Sequence, residues 1–187
     1  MKFGFLKALT CIFAAVSIDA ASEDSAAKKY AWECQERTDK MSGRVTKSVT
    51  GISNNFVQGW LKSYPIVLVY HVGGGIDLYA DGMGFETDDA KCDEYSCESI
   101  QYARVKFDKS PPIDVKFEVD DKNNEFMSIE VYDEFAKRDN IQMMINGMKK
   151  HNLLNIELEL FNTKGKQQIV EFDLSGFSKV ASECRQP

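Results

Sequence analysis

Large apolar side chains fall at alternate positions through most of this chain, and the clearest case lies mid-sequence. Ile113, Val115, Phe117 and Val119 alternate with Asp114, Lys116 and Glu118, which predicts a strand with one face buried and one in water. Leu154, Ile156, Leu158 and Leu160 alternate with Asn155, Glu157 and Glu159 in the same way. Tyr30 to Cys34 alternates large and polar residues, and Arg44 to Thr50 does so more weakly. Pro65 precedes the β-branched run Ile66-Val67-Leu68-Val69-Tyr70, which predicts a central strand. Ile100, Tyr102, Val105 and Phe107 predict another, ended by Lys109-Ser110-Pro111-Pro112. Phe126 to Tyr132 predicts a further strand, and Ile169, Glu171 and Asp173 belong to the hairpin partner of the Leu154 strand. Turns are predicted at Asp39 to Gly43, Asp120 to Asn124 and Asn162 to Lys166. Gly73-Gly74-Gly75 is predicted as a hairpin turn and not a phosphate loop. The next segment, Ile76 to Ala80, is another strand, and no Gly-Lys-Ser/Thr is present.

The period changes late in the chain. Ile141, Met144, Ile145 and Met148 fall at i, i+3, i+4 and i+7, a helix face, with Asp139 as candidate N-cap and Gln142 as its capping-box partner. The methionines on that face read as core filling rather than as copper or cofactor ligands. Ser175 is the candidate cap of a last short helix carrying Phe177, Val180 and Ala181. The sum is a mainly β (α+β) fold of about eight or nine strands, an antiparallel sandwich or curled half-barrel with two short helices near the C-terminus.

The N-terminus changes the picture of compartment. Lys2 and Lys7 precede an uncharged run from Ala8 to Ile18, and small residues follow. This three-part pattern predicts a signal peptide over residues 1–20, cleaved between 17 and 21. The run is shorter than the roughly 20 residues of a membrane span, and no later segment could span a membrane. Residues 21–29 then form a flexible lead-in and 30–187 one β-rich domain, periplasmic or secreted. Removing residues 1–20 takes away Lys2, Lys7 and Asp19, so the formal charge moves from -6 to about -7. The acidic residues are scattered, and basic pairs such as Lys28-Lys29 and Lys149-Lys150 stand far apart. No basic stripe is present, so neither nucleic acid nor stable membrane insertion is expected.

Export gives the cysteines a meaning. Cys34, Cys92, Cys97 and Cys184 remain after cleavage, an even count that points to disulfides. Cys92 with Cys97 would close a short acidic loop on a sheet edge, and Cys34 with Cys184 would join the two ends of the domain. Crossed pairings stay open at this level. In the chain-entropy picture the short loop contributes roughly 2 kcal/mol and the long one roughly 5.

Catalytic constellations are sparse. His71 and His151 are the two histidines, one at a strand end and one at a helix end, where an imidazole suits the dipole. There is no Gly-x-Ser-x-Gly elbow, no His-x-x-x-His pair and no second cysteine pair at zinc-finger spacing. Asp81, Glu86, Asp88, Asp89, Asp93 and Glu94 cluster near the cysteine loop without a calcium-loop pattern. No metal and no cofactor is expected.

Two segments, CESIQYARVKFDKSPP (97–112) and VEFDLSGFSKVASEC (170–184), resemble motifs of small exported bacterial proteins, the type VI secretion-associated VasI/TagO-like family and its phage and prophage relatives. The matching positions are Arg104, Phe107, Asp108, Phe172, Asp173, Ser175, Gly176 and Cys184, with Trp32 and Asp39-Lys40-Met41 similar to the family's start. Many relatives carry Arg-Cys where this chain has Tyr70-His71, so their disulfide pairing does not carry over. The invasion-associated locus B proteins are similar at greater distance. The resemblance implies a β-rich periplasmic domain without a recognised catalytic centre.

Arg104 and Asp108, four apart on a strand, share a face and are placed to pair with each other or with a ligand. Together with Asp93 and Glu94 they form the candidate binding surface. The expected function is that of a non-enzymatic envelope accessory or binding protein, acting through a protein or cell-wall partner. A secreted virulence factor or inhibitor, and a carboxylate-dependent envelope hydrolase, are the alternatives.

Overall fold

The computed structural model describes residues 32–58, 63–80, 83–87, 89–92, 97–120, 124–129, 136–160 and 166–186, with the main chain alone for 89–92, 97–98 and 136–139. The expected signal peptide and lead-in, and the binding-surface candidates Asp93 and Glu94, lie outside the described residues. The strands are β1 (Trp32–Thr38), β2 (Val45–Gln58), β3 (Ser63–His71), β4 (Ile76–Tyr79), β5 (Asp89–Cys92), β6 (Cys97–Phe107), β7 (Ile113–Val119), β8 (Phe126–Ile129), β9 (Leu153–Glu159) and β10 (Gln167–Asp173). The helices are α1 (Ala136–Lys150) and α2 (Phe177–Cys184).

The strands form one antiparallel sheet in the order β1-β2-β3-β4-β8-β7-β6-β9-β10, and β5 pairs with β6 off this path. The mainly β, antiparallel expectation therefore holds, with an open, curled sheet and two helices late in the chain. A meander, β1 to β4, meets the second half of the sheet where β4 pairs with β8. The Gly73–Gly75 hairpin is as expected, with His71 N–H donating to Gly75 O at 3.0 Å.

Alternation fills the inner face. Ile66, Leu68 and Tyr70 of β3, Val115, Phe117 and Val119 of β7, Leu154, Ile156 and Leu158 of β9, and Val170 and Phe172 of β10 are all buried in one continuous core. Each such large side chain contributes about 1.5–3 kcal/mol by leaving water. The helix face Ile141, Met144, Ile145 and Met148 is buried in the same core, as its period predicts.

The two ends of the sheet approach each other through side chains. Trp32 of β1 donates Nε1–H to the Asp173 carbonyl of β10 at 2.7 Å, and its ring stands edge-on to Phe177 at 4.9 Å. Cys34 and Cys184 join the same region in a disulfide, S–S 1.96 Å, 150 residues apart in sequence.

β2 runs beyond its expected end at Thr50. Its register against β3 breaks between Ile52 and Phe56, and Ser53 spans the break, accepting the Ile66 N–H at 2.9 Å. The polar run Ser53-Asn54-Asn55 hid this continuation from the alternation pattern, because a bulge displaces the side chains from period two. Tyr102 is half exposed, whereas its neighbours Gln101 and Ala103 are buried, so the inward set of β6 differs from the expected one.

Both cap assignments need correction. Helix α1 begins at Ala136, so Asp139 lies within its first turn, and the Gln142 amide donates to Asn146 Oδ1 at 3.0 Å, one turn on. The cap of α2 is Gly176, at φ 84 in the left-handed region, and no side chain caps it. Ser175 instead donates its N–H to Asp173 Oδ1 at 2.8 Å, an Asx turn that leads into the helix.

Candidate functional site

Asp108 sits one residue past β6, in a turn closed by Ser110 N–H to Phe107 O at 2.9 Å, with a left-handed φ of 45 that aspartate tolerates better than most residues. Its carboxylate accepts hydrogen bonds from the α1–β9 connection and the first residue of β9. His151 Nδ1 lies at 2.9 Å from Oδ2, Leu153 N at 2.9 Å and Asn152 N at 3.2 Å from Oδ1. The His151 hydrogen bond first, and then the two main-chain N–H groups, hold the Asp108 carboxyl below its ordinary value.

Of the two options for Arg104 and Asp108, pairing with each other does not occur. Asp108 turns away beyond the strand end, and Arg104 Nη1 donates to Glu157 Oε2 at 3.0 Å, directly opposite in the β6–β9 register. This partly exposed pair contributes about 0.2–1 kcal/mol.

The sequence reads His151 as a helix-end residue rather than a site residue, because its partner Asp108 is 43 positions away. Asp108 fixes its Nδ1 as donor, which leaves Nε2 with a free lone pair in the neutral ring. The ring stacks on Phe107 at 5.4 Å and 25°. Phe107 in turn packs against Gly147, where a Cβ would fall 2.3 Å from its ring, so helix α1 approaches this closely only with glycine there.

His151, Phe107, Pro111, Ile113, Met143 and Gly147 line an open groove of about 670 Å³ between α1 and the β6–β7 turn. Lys150, Gln142 and Asn146 provide its polar rim, and the size is that of a small-molecule or peptide-segment site. Ser110 supplies a hydroxyl to the lining, but its Oγ donates to Phe107 O at 2.6 Å. The arrangement offers an oriented imidazole and an apolar wall, with no nucleophile hydrogen-bonded to His151 among the described residues.

The second histidine belongs to a separate polar cluster. His71 Nε2 lies 2.5 Å from Oδ2 of the buried Asp77. Partial burial first, and then the Asp77 charge and hydrogen bond, push the Tyr79 phenol above its ordinary value.

Cys92 and Cys97 face one another directly in the β5–β6 register, a pairing of main chains that the sequence did not signal as strand. Their side chains lie outside the described residues. Among the described residues no group of three or more His, Cys, Asp or Glu is placed to hold a metal ion, and no helix is long and apolar enough to cross a membrane. Comparison with protein-family models, with curated proteins and with solved structures finds no match to this chain.

Proposed function

We propose that this is an exported, disulfide-tied binding protein of the bacterial envelope, which takes an apolar segment of a protein or cell-wall partner into the groove beside α1. The observation that carries the reading is the groove itself, walled by Phe107, Ile113, Met143 and a His151 ring held in place by Asp108. A pre-formed apolar depression with a few fixed polar groups is the usual form of a ligand site. The Cys34–Cys184 disulfide suits an oxidising compartment, and the signal-peptide pattern and the resemblance of residues 97–112 and 170–184 to VasI/TagO-like proteins support the same placement.

The test uses the apolar dye N-phenylnaphthylamine as a groove probe, with Met143→Lys and Ile113→Asp as variants. Both positions are at least partly exposed, so charge enters the groove without entering the core. Dye fluorescence that rises with wild type and is lost in both variants, at unchanged stability, supports the reading. A dye response equal in all three proteins sinks it. Osmotic-shock fractionation checks the compartment separately, since a cytoplasmic protein would contradict export whatever the dye does.

A further inference from the structure

On the other side of α1 from the groove lies a smaller cavity of about 300 Å³, lined by Tyr70, Gly73, Gly74, Ile141, Gln142, Ile145, Lys149 and Arg185. We propose that it is a binding site for a small oxyanion, the carboxylate or phosphate group of a ligand.

Three different elements bring its donors together. Tyr70, next to last in β3, is buried at 2% exposure and lines the cavity, while its ring packs edge-on against Phe177 at 5.8 Å. Arg185 follows α2 and donates from Nη2 to the Tyr70 hydroxyl at 3.2 Å. The Tyr70 oxygen is thereby used as an acceptor, and its O–H remains to be donated. Lys149 comes from the last turn of α1. Neither Lys149 nor Arg185 has a carboxylate partner among the described residues.

Lys47, Arg104 and Lys179 pair with carboxylates, whereas Lys149 and Arg185 instead line one cavity together with the Tyr70 phenol. Helix C-termini offer part of an explanation for Lys149, since a cation there offsets about half a unit of negative charge. Two full positive charges beside one cavity exceed that offset and leave a net positive field. An oxyanion would receive charge-assisted bonds from Arg185 and Lys149 and a phenol hydrogen bond from Tyr70, which are the strong kind. The volume lies at the small end for ligand sites, which fits one anionic group or a short chain terminus better than a large ligand. The apolar floor of Ile141 and Ile145 lowers the local dielectric and strengthens each of these bonds.

The experiment titrates the full mature protein with inorganic phosphate and, separately, with acetate, following main-chain amide shifts by NMR. The variants are Arg185→Gln, Lys149→Gln and Tyr70→Phe, the last of which keeps the buried ring. The expected result is saturable shifts at Gly73, Gly74 and residues near Tyr70 and Arg185, with affinity about tenfold weaker in each charge variant. Stronger phosphate binding assigns a phosphoryl ligand, and stronger acetate binding a carboxylate. No saturable shift with either anion, or shifts that persist unchanged in the double variant Lys149→Gln/Arg185→Gln, overturns the proposal. The groove variants Met143→Lys and Ile113→Asp serve as controls and leave anion binding intact, so failure here is separable from failure of the groove.

Discussion

The Asn55 side chain holds Glu171 as a strand would: Oδ1 accepts the Glu171 N–H at 2.8 Å, while Nδ2 donates to the carbonyl of Ile169 at 2.7 Å. Those are the two main-chain groups that a neighbouring strand would satisfy. Asn55 stands at the bulge of β2, where the register shift frees its side chain from the pleat. Asn54 adds a bond to Glu171 Oε1 at 3.1 Å. The last strand of an open sheet is thus tied to the second strand by amides, which blunts an edge otherwise open to pairing with another chain.

Replacing Asn55 by Ala should therefore cost about 1–2 kcal/mol, the net worth of two exposed hydrogen bonds, read as a lower denaturant midpoint. Hydrogen exchange should quicken at Glu171 before it does at Val170 or Phe172. A variant with unchanged exchange at Glu171 would show that the amide closes nothing.

Gly51 carries a second prediction. It lies directly opposite Trp32 in the β1–β2 register, and a Cβ there would fall 2.5 Å from the indole ring. Glycine leaves the space across which the ring lies, a form of aromatic cover for a strand glycine. Gly51→Ala forces Trp32 off Phe177 or bends β2, and about 1–3 kcal/mol of overpacking is expected. In a Trp60→Phe background the Trp32 emission should shift to the red, since the ring is 3% exposed in the native protein. Unchanged emission and stability would mean that the ring has room to move.

Much of this architecture was legible in the sequence, and the parts that were not share a cause. Period two at Ile113–Val119 and at Leu154–Leu160 and the helical period at Ile141–Met148 report directly on which face meets the core. Bulges break that code, so β2 was cut short at Thr50 although it runs to Gln58. Caps depend on main-chain geometry: α1 already begins at Ala136, before Asp139, and Gly176 rather than Ser175 caps α2. Asp108 was marked as a site residue for its position on a strand. Its real partners come from the α1–β9 connection, which no local spacing encodes. Tyr70, Lys149 and Arg185 likewise converge from distant segments, so their grouping exists only in three dimensions.

The disulfide makes a third prediction. Cys34 and Cys184 are 150 residues apart, and the chain-entropy picture assigns such a loop roughly 5 kcal/mol. The Cys34→Ser/Cys184→Ser double variant should unfold at clearly lower denaturant than wild type, and reduction of wild type should reproduce most of that loss. Cys184 is buried, so the double variant also places a hydroxyl near the core. A Cys34→Ala/Cys184→Ala variant separates the two effects. If both variants and the reduced protein match oxidised wild type, the bond contributes no stability.

The pH dependence of folding tests the Asp108 clamp. The Asp108 carboxyl is held below its ordinary 3.8 by the His151 hydrogen bond and by the N–H groups of Asn152 and Leu153. A carboxylate with a depressed folded value gives stability that is fully present above the unfolded value and lost as pH falls through the folded one. Asn keeps the left-handed backbone accessible and one acceptor oxygen, so Asp108→Asn removes the charge with little change of shape. The stability gap between wild type and Asp108→Asn should be widest near neutral pH and narrow as pH drops below 3.8. The His151 bond is the largest contributor, so the narrowing should shrink in a His151→Gln background without vanishing, because the two main-chain donors remain. Urea unfolding at a series of pH values measures it. A gap that stays constant across the acid range would mean that the Asp108 charge adds nothing to the fold, and that the His151 ring is held against Phe107 by packing alone.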